Sequence, residues 1–361
     1  MNLRVPQAKI FERRVRRPLL AASLCLALLA GVVSACQTPP GSSDPGVAVA
    51  TPDLVWPGAP NRARIRWETE IRSAADLGIR PGFFRRLWDW VVGQDAPHLV
   101  RPHGLSVDPD GRLWVADSGA RCVHVFDAKR RVYMELPRDG DPGFLSPIAV
   151  VHDPSGVAYV SDSARNVIRR LDRKGRDLGE WDGNGELSRP TGLAFDPRTG
   201  LLWVVDTGNH RLLAMDDQGR IRRVVGGRGE GLGRFNFPTH IVIGPAGRLF
   251  VTDTLNFRIQ ILSDAGESLG SIGSAGDGPG FLSKPKGVAL DGDGHVYVVD
   301  GMFDNVQIFD ETGPVLLHFG SHGPARGEFW LPAGIWIDGA DRIYVADGYN
   351  RRIQVFRYLG G

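Results

Sequence analysis

A unit of about 45 residues is repeated six times between residue 102 and the end of the chain, and this repeat restricts the possible folds more than any other feature. Each copy contains an apolar run that closes on an Asp, and successive copies of this Asp lie 45, 44, 47, 47 and 47 positions apart. A Pro stands 15 or 16 positions before each of them. The Asp residues are Asp117, Asp162, Asp206, Asp253, Asp300 and Asp347, and the prolines are Pro102, Pro147, Pro190, Pro238, Pro285 and Pro332. A period of this length, with several short apolar runs in each copy, predicts the blades of a β-propeller.

Each copy is predicted to form four β-strands. In the fifth copy, "GVALD" follows the Pro, a Gly/Asp turn leads to "VYVVD", and a second turn leads to "VQIFD", while the fourth strand is less regular. One such sheet cannot bury both of its faces, whereas six sheets around an axis cover one another and leave only short edges. We therefore predict an all-β, six-bladed propeller with four-stranded blades.

The ring must also close. The chain stops at Gly361, just after the third strand of the sixth copy, so that blade needs a fourth strand from elsewhere. Arg64–Arg72, "RIRWETEIR", alternates apolar and polar residues ahead of the first copy, which is typical of a half-buried strand. We predict that this N-terminal segment clasps the first and last blades together.

The period is interrupted by "FFRRLWDWVVG" at residues 83–93. The apolar side chains that would share one face of a helix there are Phe83, Leu87, Trp88 and Val91. We predict a propeller domain at residues 62–361 with a helical insertion near 79–93. The helix either packs over the propeller or offers a hydrophobic docking surface to a partner or a lipid.

The first 35 residues are typical of an export signal rather than of a folded segment. Six basic residues against one acidic residue precede an uncharged apolar run, Leu19–Val33, which is short for a membrane span. The run leads to "VSAC", which resembles a bacterial lipobox, and we predict that Cys36 is lipidated and becomes the mature N-terminus. Two alternatives to lipidation are an ordinary signal peptide that is cleaved near Ala35 and an uncleaved membrane anchor. The paired arginines also suggest export by a twin-arginine route. We expect a protein of the bacterial cell envelope, anchored to a membrane by its lipid and facing the periplasm or the exterior.

Residues 36–61 are rich in Pro, Gly and Ser and are predicted to be a tether. Removing residues 1–35 leaves 37 basic against 40 acidic side chains, a net charge of −3. A mildly acidic protein gives no electrostatic reason to expect nucleic acid. Because a clasp strand would be a fourth strand, we also expect the tether to join the propeller on the side of the short hairpin turns.

Cysteine usage limits the covalent chemistry. Of the three cysteines, Cys25 lies in the export signal and Cys36 is the lipidation candidate, so that Cys122 alone remains. No disulfide can form within the mature chain, and a cysteine-rich zinc cluster is excluded. We interpret Cys122 as a small buried hydrophobic residue rather than a reactive thiol, because it begins an apolar run.

The third strand and the turn before it carry a family resemblance. "NFRIQIL" (Asn256–Leu262) and "NRRIQVF" (Asn350–Phe356), together with the P-x-G and Y-V-x-D elements of the same units, resemble the NHL repeat. The resemblance spans about residues 62–361 and implies a six-bladed propeller. It leaves function open, because the family includes binding, scaffold and enzyme members.

The residue after each repeated Pro is expected to ring the mouth of the central channel, on the face of the long loops between blades. The candidate binding residues there are His103, Thr191, Thr239 and Lys286, with His240 one position further along. Long loops on a rigid scaffold commonly carry binding sites.

The segment "RPHGLSVDPDGRLWVAD" also resembles peptidyl-hydroxyglycine lyases, which hold a metal on His residues after the Pro of several blades. Only His103 occupies that place, and a catalytic metal needs about three protein ligands. Zinc or calcium is expected only under this lyase or hydrolase alternative, and otherwise we predict no cofactor and no catalytic residue.

The repeated Asp residues are interpreted as turn devices that accept backbone N–H groups, because six equivalent copies argue against a single catalytic one. Arg211, Arg258 and Arg352 recur five positions after their Asp and are expected to pair with it. We therefore predict a lipid-anchored propeller that acts as a binding or scaffold module for a protein, peptide or glycan.

Overall fold

The computed structural model describes residues 53–80, 98–138 and 140–360. These residues form six antiparallel sheets, one for each copy of the repeat, which confirms the predicted all-β propeller. The innermost strands contact one another all around the ring, including the pair from blades six and one. The predicted export signal with Cys36, and the predicted helix with Phe83, Leu87, Trp88 and Val91, lie outside the described residues.

Blades one to five each contain four strands from one copy of the repeat, and each strand pairs with the next in sequence. Blade one contains Pro102–Val107, Leu113–Asp117, Cys122–Asp127 and Val132–Leu136; blade two contains Pro147–His152, Ala158–Asp162, Val167–Leu171 and Asp177–Trp181; blade three contains Pro190–Asp196, Leu201–Asp206, Arg211–Met215 and Ile221–Gly226; blade four contains Pro238–Ile243, Leu249–Asp253, Arg258–Leu262 and Ser268–Ile272; blade five contains Pro285–Leu290, Val296–Asp300, Asn305–Phe309 and Val315–Phe319. Each repeated Pro therefore begins or precedes an inner strand, which suits its lack of a backbone N–H.

Blade six combines the two ends of the propeller domain. Its inner three strands are Ile335–Ile337, Arg342–Asp347 and Arg352–Tyr358. The strand Ile65–Ile71 pairs antiparallel with the last of these, from Ile65 opposite Tyr358 to Ile71 opposite Ile353. The predicted clasp strand therefore supplies the fourth strand of this blade.

A fifth strand, Val55–Trp56, pairs antiparallel with the outer edge of the clasp strand. It was not predicted, and it reverses the direction in which the chain approaches the propeller. The Trp67 N–H donates to the Leu54 carbonyl, and Leu54 and Trp56 pack beside Gly327 in the long loop between blades five and six. The clasp strand is entered at the short-turn end as expected, since Ile65 lies opposite Tyr358 at the end of the third strand. The extra strand was not expected, and it leads the described chain at residue 53 back towards the long-loop face.

The hydrophobic core lies between blades rather than within them. Each of the six hydrophobic clusters in the described residues joins two neighbouring blades, for example Trp203 and Leu212 of blade three with Val251 of blade four. The blades also come very close at the channel, where a Cβ at Gly334 would lie 2.1 Å from the His103 carbonyl oxygen. In four of the six blades a Gly follows the channel-mouth residue and permits the inner strands to approach, namely Gly104, Gly192, Gly287 and Gly334.

Short 3₁₀ helices occur at four places in the described chain: Ala74–Leu77, Thr207–Asn209, Pro245–Gly247 and Thr254–Asn256. Two of them follow a repeated Asp, in the turn between the second and third strands of blades three and four. No helix formed by the described residues is both long and apolar enough to cross a membrane.

Candidate functional site

The inner strands enclose a central channel with a cavity of about 290 Å³. Its wall is mostly apolar, with His152, His240 and Trp336 as the exceptions that carry polar ring atoms. At the short-turn end the lining includes Val107 and Phe195 beside His152, together with the carboxylates of Asp108 and Asp153. Both carboxylates accept hydrogen bonds within their own blades, Asp108 from Trp114 Nε1 and Asp153 from the Tyr159 hydroxyl.

Two of the predicted channel-mouth residues, Thr191 and Thr239, are engaged within the ring. The Thr191 hydroxyl lies 2.6 Å from Oγ1 of Thr207 and 2.9 Å from the Thr239 carbonyl oxygen. The Thr239 hydroxyl lies 2.7 Å from Oγ1 of Thr254, which itself donates to the Pro285 carbonyl. These hydroxyls join neighbouring blades, and their role in ligand binding stays a prediction.

Of the other three predicted residues, His103 and Lys286 line one pocket at the long-loop mouth, and His240 lines the channel. Burial, together with the nearby charges of Lys286 and His240, lowers the pKa of His103 to about 3. Burial likewise lowers the pKa of His240 to about 4. Both rings are therefore neutral at pH 7, so they can accept a hydrogen bond or a metal as well as donate one.

Lys286 belongs to a separate pocket of about 210 Å³ between blades five, six and one. Its lining also includes His103, Arg101, Lys284 and Tyr349, and no carboxylate from the described residues lines it. Burial lowers the pKa of Lys286, and the adjacent charge of Lys284 lowers it further. An anionic group bound in this pocket would favour the charged form of Lys286 and so raise its pKa again.

Arg101, Lys284 and Tyr349 were not among the predicted site residues. Arg101 and Lys284 stand immediately before the repeated Pro of their blades, and Tyr349 occupies the turn after Asp347. The sequence contains a signal for the first two, because a basic residue directly precedes a channel-mouth segment. The contribution of Tyr349 depends on the packing of blade six beside blade one.

An apolar and aromatic rim lies next to the pocket on the long-loop face. Tyr349 and Trp330 are each 47% exposed, and their ring centroids are 5.6 Å apart. The Arg101 guanidinium stacks 5.3 Å from the Tyr349 ring centroid. In the equivalent turn of blade five, Met302 is 58% exposed. The surface therefore combines positive charge with exposed aromatic rings, which suits peptides and sugars.

The channel does not assemble a complete set of metal ligands from the described residues. His103 and His240 are the only imidazoles near its long-loop mouth in this part of the chain, and no carboxylate lines the adjacent pocket. Within the described ranges, the one group of three side chains with metal-binding atoms in mutual reach is Cys122, His124 and Glu135, inside blade one. A lyase-type metal at the channel mouth would thus lack a third ligand.

The repeated Asp residues act as predicted, as acceptors for backbone N–H groups. In blade one the Asp117 carboxylate accepts from Gly119 and Ala120 in the turn, and also from Val100 and Arg101 in the preceding long loop. All six Asp residues accept from the long loop of their own blade in this way. The device therefore fixes the loops that form the long-loop face.

The predicted Arg–Asp pairs are confirmed as well. Nε donates to Oδ2 of the Asp at 2.8 Å from Arg211, 3.0 Å from Arg258 and 2.8 Å from Arg352. These guanidinium groups also donate to loop carbonyl groups, so they are structural parts of the loops. They are not placed to hold a phosphate.

Comparison with known proteins agrees with the repeat and the ring. The NHL repeat model matches residues 99–126, 187–221 and 329–356. No curated protein matches the sequence.

Among solved structures, virginiamycin B lyase from Staphylococcus aureus is similar at 17% identity, over 72% of this chain and 96% of that chain, with a TM-score of 0.51. An auxiliary nutrient binding protein from Bacteroides thetaiotaomicron VPI-5482 is similar at 15% identity, over 74% and 71% of the chains, with a TM-score of 0.57. Hydrazine synthase from Kuenenia stuttgartiensis is similar at 13% identity, over 72% and 96%, with a TM-score of 0.53.

At such identities the structural likeness concerns the fold and leaves activity open. The family matches cover the third-strand motifs of three blades, and the remaining blades repeat the same four strands. The chain is thus an NHL-repeat six-bladed β-propeller.

Proposed function

We propose that this propeller is a binding module, and that the pocket lined by Arg101, His103, Lys284, Lys286 and Tyr349 takes an anionic group of a protein, peptide or glycan ligand. The observation that carries the proposal is the lining itself, which contains three cationic side chains and no carboxylate from the described residues. Such a pocket attracts anions. It disfavours cations, because a bound cation would be repelled by the three positive side chains and would leave them unpaired.

The neighbouring groups support a ligand that is more than a free anion. The neutral His103 ring can accept or donate a hydrogen bond at the pocket floor. The exposed Tyr349 and Trp330 rings can stack on a peptide side chain or a sugar ring. Because the wall of the channel below is mostly apolar, a charged ligand would lie across the long-loop face rather than enter the channel.

The proposal is tested with an array of acetylated peptides that end in a free or an amidated carboxyl group, and with acidic and neutral oligosaccharides. We expect binding to the acidic probes, and we expect Lys286→Met to weaken it at least about tenfold, which is the scale for a hydrogen bond to a charged group. Arg189→Gln is the matched control, because Arg189 is an exposed residue that also directly precedes a repeated Pro. Equal binding of neutral and acidic probes, or equal loss in the control, would contradict the proposal.

We also propose that the module works at a membrane of the bacterial cell envelope, held by a lipid on Cys36. The support is the order of basic, apolar and small residues ahead of this Cys. Several acyl chains on one residue give stable attachment, whereas one chain binds only marginally. Cys36→Ser should release the protein into the soluble fraction, and a variant that still sediments with membranes would favour an uncleaved anchor.

A metal-dependent lyase or hydrolase of the peptidyl-hydroxyglycine lyase type remains the second candidate. Its support is the neutral state of the His103 and His240 rings at pH 7, together with a fold that a virginiamycin B lyase shares. It requires a tightly held zinc or calcium that is lost in His103→Ala. Retention of all bound metal in that variant would exclude this candidate.

A further inference from the structure

Blade one departs from the repeat at two buried positions. In blade four, Oδ2 of Asp253 accepts from Arg258 Nε at 3.0 Å and from Gln260 Nε2 at 3.0 Å, and blade six repeats this arrangement. Cys122 and His124 occupy the corresponding Arg and Gln positions of blade one. Two strong hydrogen-bond donors are thus replaced by a thiol and an imidazole, and both side chains are buried.

The replacements bring metal-binding atoms together. Sγ of Cys122 lies 3.4 Å from Nε2 of His124, and the same Nε2 lies 3.5 Å from Oδ2 of Asp117. The ligand atoms of Cys122, His124 and Glu135 all lie within 4.8 Å of one another. Bond lengths of about 2.3 Å for Zn–S and about 2.0–2.1 Å for Zn–N and Zn–O give tetrahedral edges of about 3.3–3.6 Å. The observed separations therefore match two edges of a zinc site.

The hydrogen bonds on the far side of the ring orient His124. The Tyr133 hydroxyl donates to Oε2 of Glu135 at 3.2 Å and lies 2.7 Å from Nδ1 of His124. When the hydroxyl gives its one hydrogen to Glu135, its oxygen accepts from the Nδ1–H of His124, and this is the tautomer that leaves Nε2 without a proton. In the neutral ring, Nε2 then directs its lone pair at a sulfur and a carboxylate oxygen. The Cys122 S–H can donate to this lone pair, and a metal ion that replaces the thiol proton would lie between the three atoms.

We propose that Cys122, His124 and Glu135 bind a zinc ion, with Asp117 as the fourth donor. A thiolate, an imidazole and carboxylates form a donor set that suits zinc rather than calcium or magnesium, which prefer oxygen ligands. Binding converts the Cys122 thiol to a thiolate and releases its proton to solvent, so charge and atoms balance. The Tyr133 hydroxyl is the outer partner that fixes the ring, as is usual for His ligands.

The site would be structural, because it ties the second, third and fourth strands of blade one together inside the sheet. Without a metal, burial raises the pKa of the Cys122 thiol, and the nearby carboxylates of Glu135 and Asp117 raise it further. The metal-free thiol is therefore unreactive, and the interpretation of Cys122 as a simple hydrophobic residue omits its polar neighbours.

The test uses the full chain purified in detergent with Cys25→Ser and Cys36→Ser, so that Cys122 is its one thiol. We expect about one zinc per chain, and we expect a cobalt-loaded sample to show a thiolate-to-metal charge-transfer band that Cys122→Ser removes. Tyr133→Phe should weaken zinc affinity roughly 10- to 100-fold, as loss of an outer partner does.

The matched control is the double variant Cys122→Arg/His124→Gln, which restores the arrangement of blades four and six. It should stay folded, bind no zinc and respond to a chelator no more than a metal-free protein does. Zinc retained in this variant, or no zinc uptake by the parent chain, overturns the proposal and leaves a hydrogen-bonded cluster only. Because the double variant keeps Lys286 and Arg101, peptide binding at the long-loop pocket is scored separately from metal content.

Discussion

Replacing Arg352 by Met should destabilise the protein far more than replacing the equivalent arginine of blade three. Arg352 is only 1% exposed at its side chain, and its Nε donates to Asp347 at 2.8 Å. One Nη donates to Glu70 of the clasp strand at 2.7 Å, and the other donates to the Ala325 and Glu328 carbonyl oxygens. One buried guanidinium therefore joins the third strand, the clasp strand and the last long loop.

The magnitude follows from what the substitution leaves behind. Met keeps the apolar stem of Arg and so preserves most of the packing. Removing one partner of a buried ion pair costs about 3–5 kcal/mol, because the other charge stays buried without it. Trp330 N–H and the Asn350 amide still donate to Asp347, which favours the lower end of that range.

Arg211→Met is the control for this prediction. Arg211 makes the same Nε bond to Asp206 at 2.8 Å, but its side chain is 21% exposed and it contacts no clasp strand. We expect a loss of about 1–2 kcal/mol there, since hydrogen bonds to charged groups contribute about 1.5–3 kcal/mol when buried and water replaces part of this. Urea titrations followed by tryptophan fluorescence give both values. Equal losses in the two variants would refute the argument that blade six depends on this one residue.

Three further outcomes are expected from the described geometry. Burial holds the pKa values of His103 and His240 at about 3 and about 4, below the ordinary value, so the folded state binds fewer protons and stability should fall as pH drops from about 6.5 towards 4. Replacing both residues by Asn should make stability less dependent on pH, because up to two fewer protons are then taken up on unfolding. Urea titrations at several pH values measure this change. Gly334→Ala should cost about 1–3 kcal/mol, because its Cβ would lie 2.1 Å from a carbonyl oxygen, whereas Gly339→Ala, with open space around it, should cost almost nothing. Deleting residues 62–72 should lower the cooperative melting of the whole ring, and unchanged calorimetry would show that the clasp is dispensable.

The sequence predicts the blades well because every blade buries its two faces against its neighbours with the same pattern of residues. Apolar positions, the Asp and the Pro recur in one register, and chance variation at one copy does not hide the other five. The strand Val55–Trp56 escapes such reasoning, because two residues carry no periodicity and Pro57 follows directly. Its position depends on the Leu54 and Trp56 side chains packing against the last long loop. That contact joins segments that are far apart in the chain.

The site is only partly visible in the sequence for a related reason. His103 and Lys286 can be found from their place after the repeated Pro, since that place is the same in every blade. The pocket that contains them lies between three blades, so Tyr349 enters it only through the geometry of the ring. His124 could have been found by aligning its blade with the Gln of blades four and six. Such an alignment shows that His replaces Gln in blade one, but only the structure shows that its ring lies beside Cys122 and Asp117.

The reversal of the chain at Val55–Trp56 bears on how the propeller would be oriented at a membrane. Only 16 residues separate Cys36 from Asp53, a reach of at most about 50 Å as a polyproline helix and about 20–25 Å as a flexible coil. Because the described chain leads from Asp53 towards the long-loop face, a lipid on Cys36 should bias that face towards the membrane.

This orientation is tested with single cysteine labels at two exposed glycines, Gly231 in a long loop and Gly339 in a short turn, neither of which has an atom within 4 Å of its Cβ position. Lipidated protein with the Cys122→Arg/His124→Gln double substitution, which removes the remaining thiol and should stay folded, is reconstituted on vesicles that contain an embedded quencher. The label at Gly231 should be quenched more strongly, and the difference should vanish when Cys36→Ser removes the lipid. Stronger quenching at Gly339 would show that the tether turns back along the blade before it reaches the membrane. With the expected result, the cationic pocket between blades five, six and one faces anionic groups held close to the membrane surface, and soluble ligands must enter from the side.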